Sequence, residues 1–214
     1  MTFDEAIASL TVTVDRDDLV STYPGFLNRA VRETALRWNF PQMKTTGTVT
    51  IASGAMTVAL PSDFKAWQSL RFPASVVIGS APPVQVPVYT REEIERLSPA
   101  FRPTLYLIFS QDNGGYQITL PANATASNVF TVYYFAYPAT VTDTTLTTPL
   151  LRDYENLVIS KARSLIFESI NDPVYVAHES QFVKDLTDLT GASIKSAFIK
   201  STKPHADPDG EQPS

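Results

Sequence analysis

The 214-residue chain contains no cysteine, only two histidines, and fewer basic than acidic residues. Without cysteine there can be no disulfide staple, no thiol nucleophile and no thiolate-bound metal, and a reducing cytoplasm is the expected folding environment. The histidines are His178, in a helical pattern, and His205, in a polar tail. No GxSxG, HExxH or phosphate-loop spelling accompanies them, so neither a serine triad nor a zinc motif is written in the chain. Long apolar runs are also missing: nothing approaches the roughly 20 residues that span a bilayer. The opening MTFDEAIASL has acids and no basic stretch, so a secretory signal is not expected. Seventeen Lys and Arg against 22 Asp and Glu leave a formal charge of −5. Clamping nucleic acid depends on basic side chains displacing phosphate counterions, so any DNA near this molecule should slide rather than stick. No solenoid-length repeat is visible. Carboxylates are numerous enough to keep open an acid–base hydrolase of cell-wall polymer with its two acids far apart in sequence.

What the chain does carry is a hydrophobic period that changes twice. It is helical up to Trp38, strand-like from about Thr48 to Tyr137, and helical again from Pro149. The order predicts an α+β fold: a discontinuous α-helical bundle with an inserted antiparallel β-sandwich or barrel-like module. The expected division is 1–42 with 149–200 as the bundle, 43–148 as the β module and 201–214 as a flexible tail.

Phe3, Ile7 and Leu10 stand at helical spacing, followed by a turn through Val14. Asp15 is then expected to N-cap a helix that carries Asp17 and Asp18 in its first turn, where carboxylates meet the positive end of the dipole. The spacing lacks the spread of ligands that a calcium loop needs. Pro24 opens a further helix to about Trp38, with Phe26, Leu27, Ala30, Val31, Thr34, Ala35 and Trp38 inward. Arg29, Arg32, Glu33 and Arg37 face outward, Arg29 with Glu33 as an i,i+4 pair.

Alternation predicts a hairpin turning at Ser53-Gly54 and another at Asn113-Gly114-Gly115. The run Val129–Tyr137 is apolar on both faces and reads as a central strand covered on each side. Val76–Ile78 and Val84–Tyr89 read as further strands, placed at an edge by Pro82, Pro83 and Pro87. Thr90 with Glu93 spells a capping box for a short helix through Leu97 that covers one end of the sheet. Asn123-Ala124-Thr125 has the spelling of a glycosylation sequon but reads as a polar turn. Thr148-Pro149 starts the last block, with Tyr154, Val158, Ala162, Leu165 and Ile166 inward. Asp172-Pro173 divides it from a helix with Tyr175, Phe182, Leu186 and Leu189 inward and His178 exposed. Trp67 is the residue to watch for a carbohydrate-binding β module on a tail decoration or receptor-binding protein, although a core or interface role is the stronger expectation.

Several stretches taken in order resemble the adaptor proteins of tailed bacteriophages, also called head-to-tail connector or head completion proteins. They are DRDDLVSTYPGFLNRAVRETALRW, MKTTGTVTI, ALPSDFKAWQSLRF, LPANATASNVFTVYYFAYPA and LLRDYENLVISKARSLIFESINDP. The resemblance runs to about Ser196. It implies a structural virion protein, not an enzyme, with no cofactor, metal or membrane partner. Its subunits would form a ring beneath a twelve-fold portal, extend the DNA channel, let genomic DNA pass without specific binding, and present a platform to a nozzle or stopper protein of the tail. It also implies a C-terminal segment that reaches into the portal, with Phe198 and Ile199 as apolar anchors and Lys200 and Lys203 as charged partners.

Overall fold

The computed structural model describes residues 1–69, 74–77, 82–112, 115–122, 124 and 126–201, excepting the side chains of Asp112 and 192–201. Helix α1 (Phe3–Val14) begins at a capping box in which the Thr2 hydroxyl accepts from the Glu5 amide and Glu5 accepts from the Thr2 amide. Its Phe3, Ala6, Leu10 and Val14 form one buried stripe. Because Val14 completes that stripe, the helix runs one turn past the expected stop. Asp15 is therefore its left-handed C-terminal cap, at φ 52°, and not the N-cap of the next element; Asp is one of the few L-residues that tolerates this conformation. Asp17 and Asp18 do occupy a first turn, but of a 3-10 helix over Asp17–Thr22, where Asp18 accepts both hydrogen bonds of the Arg16 fork at 2.8 Å.

Helix α2 (Tyr23–Arg37) carries Pro24 in its first turn and buries Tyr23, Leu27, Ala30, Val31, Thr34 and Ala35. Tyr23, absent from the predicted stripe, is fully buried, and its hydroxyl donates to the Arg16 carbonyl at 3.1 Å. Phe26 and Trp38 are only partly covered.

The inserted module comprises β1 (Lys44–Ile51), β2 (Thr57–Ala59), β3 (Phe64–Trp67), β4 (Ala74–Val76), β5 (Val84–Val86), β6 (Val88–Thr90), α3 (Arg91–Arg96), β7 (Leu107–Asp112), β8 (Gly115–Thr119) and β9 (Asn128–Ala136). One sheet runs β1-β9-β4-β5, with β3 also pairing β9; the other runs β2-β8-β7-β6. The pairings are antiparallel except for β6 with β7. The sheets close on a shared core that includes Ile51, Phe64, Val86, Leu107, Ile118 and Phe130.

The turn at Ser53-Gly54 does not make a hairpin. Gly54, at φ +81°, sends the chain across to the second sheet, so β1 pairs β9 while β2 pairs β8. The reason lies in the partners: the Gly54 amide donates to the Ala124 carbonyl at 2.7 Å, drawing the turn toward the segment before β9. The β7–β8 hairpin forms as predicted, with Asp112 opposite Gly115, although Asn113 and Gly114 lie outside the described residues. Ile78, Asn123 and Thr125 also lie outside them. Pro82 and Pro83 precede the edge strand β5, and Pro87 marks the change of sheet between β5 and β6. The capping box of α3 is present, and the helix leads directly out of β6.

β9 is central, as expected, but its two faces are not equally covered. Phe130, Val132 and Tyr134 enter the sandwich core, whereas only Phe135 reaches the helical core, and Val129 is half exposed. Trp67 packs edge-on against Phe64 and Phe109 inside the sandwich, its indole N–H without a hydrogen-bond partner among the described residues.

The last block splits into α4 (Pro149–Asp153), α5 (Glu155–Ser169) and α6 (Tyr175–Ser201). Thr148 caps α4 through the Leu151 amide at 3.1 Å. The break between α4 and α5 falls at Tyr154, which leaves helical geometry at φ −134°, ψ 44°; its ring meets Phe40 at 4.8 Å and its hydroxyl meets Gln42. Asp172 caps the turn into α6 by accepting from the Val174 amide at 2.9 Å. Phe182 is fully buried, while Tyr175, expected inward, is 38% exposed at the helix start. The N-terminal and C-terminal helices thus share one core, and the β-sheets are inserted between them.

Candidate functional site

The helices around α5 are held by a charged cluster in place of a purely apolar seam. Lys161 is 5% exposed, and its Nζ donates to Glu179 Oε2 at 2.8 Å and stands 3.0 Å from Glu33 Oε2. Ser164 donates to the same Glu179 oxygen at 3.0 Å, Arg29 pairs with Glu33 at 2.8 Å and Arg37 reaches Glu179 at 3.5 Å. Burial pushes the Glu33 carboxyl up, but hydrogen bonds from Arg29 and Lys161 outweigh it and hold the group below its usual range. The Phe182 ring receives the Lys161 and Arg37 cations at 5.3 and 5.8 Å. The predicted Arg29–Glu33 surface pair is therefore one arm of a network that locks α2, α5 and α6 together. Lys161 was missed because a lysine on a helix reads as solvent-facing until a second helix covers it.

The β module is tied to the bundle by polar contacts of a different kind. Lys65, on β3, donates to the Ala35 carbonyl and, at 2.7 Å, to the Trp38 carbonyl, satisfying acceptors left free at the end of α2. Burial pushes its ammonium down to about 8. Asn28 clasps the backbone of Val141 from both sides, accepting from its amide at 2.8 Å and donating to its carbonyl at 2.9 Å.

A cleft of about 700 Å³ opens where α1, α4, α5 and α6 meet, with Ser9, Asn156, Ser160, Arg163, Gln181 and Asp185 on its walls. Arg163 is the unusual group. Its Nε is buried with no hydrogen-bond partner among the described residues, and burial lowers its pKa. Arg152 is paired with Asp153 at 2.7 Å, and Asp185 accepts from the neutral Gln181 amide at 2.6 Å, so of these charges only Arg152 and Asp153 are paired with each other. His178 is half buried, correcting the exposed placement: it stacks on Phe167 with ring centroids 5.3 Å apart, and burial followed by the Arg163 charge lowers its pKa. Among the described residues no hydrogen bond joins the His178 ring to a nucleophile or an orienting acid, and no group of three or more His, Asp or Glu side chains could hold a metal ion.

The predicted portal-contacting residues fall at the far end of α6. Phe198, Ile199 and Lys200 lie within the helix, but their side chains are outside the described set; Lys203 lies outside the described residues altogether. Leu189 still lines the cleft beside the first turn of α5. From there α6 continues for about a dozen residues, roughly 18 Å at 1.5 Å per residue.

The fold defines a mixed α+β protein: helices locked by buried charge, an inserted sandwich clamped to them, and a long terminal helix. The sequence comparison gives the class its particular form. The chain belongs to the SU10 adaptor protein family, a phage adaptor family whose model matches residues 1–202. No curated protein matches the chain significantly. No helix among the described residues is long and apolar enough to cross a membrane.

Proposed function

We propose that this adaptor is the head-to-tail connector of a virion: a structural protein whose copies form a ring under the portal, extend the DNA channel and offer the tail its attachment platform. The observation that carries this reading is the family match over 1–202, which takes in the helices and the β insert together. Residues 1–42 and 149–200 act as one bundle, the insert 43–148 rides on it and meets a nozzle or stopper protein, and the segment from Phe198 to Ser214 docks on the portal. Phe198 and Ile199 anchor that segment, with Lys200 and Lys203 matching portal carboxylates.

Repetition around a ring lets individually weak tails add up to firm attachment. The net charge of −5 suits a channel through which DNA moves without phosphate contacts that would stall it. A ring matching a twelve-fold portal is the expected stoichiometry. Electron microscopy of the purified chain mixed with its portal tests the reading. An added ring layer is the expected result, and a portal left bare at saturating protein refutes it. Deleting residues 198–214 should abolish the layer; a normal layer from the truncated chain removes the tail-docking assignment alone.

A further inference from the structure

We propose that residues 91–102 of one copy seat in the cleft between α1, α4, α5 and α6 of the next, with Phe101 as the anchor and Arg163 receiving a carboxylate from α3. The inference rests on the ring reading above and names the surfaces that build the ring.

Two independent anomalies lead to it. The first is Phe101, which stands 79% exposed in a 3-10 turn just after α3. An aromatic held out in solvent is a poor use of apolar area unless a partner covers it, and buried aromatics dominate the energetics of interfaces. The turn that presents it is braced, because the Phe101 amide donates to the Ser98 carbonyl at 2.8 Å and Arg102 reaches back to the Leu97 carbonyl. Beside it, α3 carries both signs of charge: Glu93 is held by the Thr90 cap, while Glu92 and Arg96 are more than 80% exposed and 4.0 Å apart.

The second anomaly is the cleft. Arg163 lines the cleft half-buried, with its Nε covered and without a hydrogen-bond partner among the described residues, and no carboxylate of the described residues pairs with it, so the open side of its guanidinium can take one from a partner. Leu157, Ile159 and Leu189 are the apolar part of a largely polar lining, and the cleft's volume of about 700 Å³ admits an aromatic ring with its neighbours.

The signs on the walls select the kind of occupant. Asp153, Glu155 and Asp185 outnumber Arg152 and Arg163, so a phosphate chain meets net repulsion. A polypeptide carrying both signs does not: a glutamate of α3 meets Arg163, while Arg91 or Arg96 meets Glu155 or Asp185. That mixed pattern is what the 91–102 knob displays. Knob and cleft belong to different parts of the chain, so the contact can repeat head-to-tail from copy to copy, the kind of interface that generates a ring when the rotation between copies closes.

Because the chain is free of cysteine, the contact can be trapped without background. Copies bearing only Phe101→Cys are mixed with copies bearing only Ser160→Cys on the cleft wall, assembled on the portal, and treated with a short thiol-to-thiol crosslinker. A mixed crosslinked dimer, absent when either variant is assembled alone, is the expected product. In parallel, Phe101→Ser should leave the melting temperature of the free chain unchanged and raise the concentration needed for ring formation about tenfold, as loss of an interface anchor does. A ring that forms normally but yields no mixed dimer, or that is indifferent to Phe101→Ser, overturns this contact and leaves the ring reading standing. A wild-type chain that forms no ring overturns both.

Discussion

Replacing Lys161 with methionine isolates the charge at the centre of the bundle, because methionine keeps a flexible apolar stem against Phe182 and removes only the ammonium. Two ion pairs disappear, at 3.0 Å to Glu33 and 2.8 Å to Glu179. Removing one partner of a fully buried pair costs about 3–5 kcal/mol, whereas an exposed pair is worth about 0–1. Lys161 is buried, but its carboxylates are 26% and 30% exposed and retain Arg29 and Arg37. The expected loss is therefore intermediate, about 2–3 kcal/mol, which in a protein of this size lowers the melting temperature by about 4–12 °C.

Urea unfolding followed by circular dichroism measures the loss, and amide exchange along α6 reports whether that helix loosens first. The double variant Lys161→Met with Glu179→Gln should recover about 1 kcal/mol, since a neutral amide needs no counter-charge. The pH dependence has a definite sign. The Glu33 carboxyl is held below its unfolded value of 4.5, so its stabilisation is complete above that pH and disappears as pH falls through the depressed folded value. Lys161→Met should flatten this acid limb. A loss under about 0.5 kcal/mol, or a double variant less stable than the single one, refutes the reasoning.

Two further perturbations test the junction and the sandwich. The Lys65 ammonium is pushed down to about 8 from 10.5, so between those values the unfolded chain binds more protons and stability rises with pH; in Tyr134, raised to about 12 from 10, the unfolded chain ionises first and stability falls from pH 10 to 12. Lys65→Met should remove the rise and Tyr134→Phe the fall, each read as the difference in unfolding free energy from wild type across pH 7 to 12. Gly47→Ala should cost about 1–3 kcal/mol in urea unfolding, because the added methyl would lie 3.1 Å from both Pro61 Cγ and Tyr134 Cε1. Tyr134 is held in place by its 2.9 Å hydrogen bond to Asp63, so a neutral or stabilising result would show that the ring moves.

The double change of hydrophobic period was legible because helix and strand periods are local properties, and so were the caps at Thr90 and Thr148, where a side chain meets a backbone amide three residues on. What could not be read locally was pairing. Ser53-Gly54 has the chemistry of a hairpin turn, yet the same positive φ serves equally to change sheets, and the choice is made by Ala124, about seventy residues away. The parallel register of β6 on β7 is likewise set by the packing of the two sheets. Asp15 was misplaced by one turn because capping chemistry is symmetric for Asp: it can precede a helix through its carboxylate or end one in the left-handed region, and the burial of Val14 decides. At the candidate sites, Lys161 and Arg163 carried no local signal. Both are basic residues on one helix, two positions apart, and only the cover given by α2 and α6 makes one a buried ion-pair hub and leaves the other without an ion pair among the described residues.

The same distinction bears on how an adaptor would carry load. A module inserted between two halves of a bundle is often held by two linkers alone and can swing. Here β1 and β9, the strands next to those linkers, pair with each other over eight residues from Lys44 opposite Phe135 to Ile51 opposite Asn128, so the insert is closed at its root. The Phe135 side chain projects from that ladder into the helical core. Lys65 fastens the next strand to the end of α2, and Asn28 fastens the returning linker at Val141. The contacts lie on three separate chain segments, so a pivot about any one would strain the others. Strain applied to the sandwich is therefore passed to α2, and from α2 through Glu33 and Lys161 to α5 and α6. If the insert faces the tail and α6 faces the portal, as proposed above, this chain of contacts is the rigid route between them.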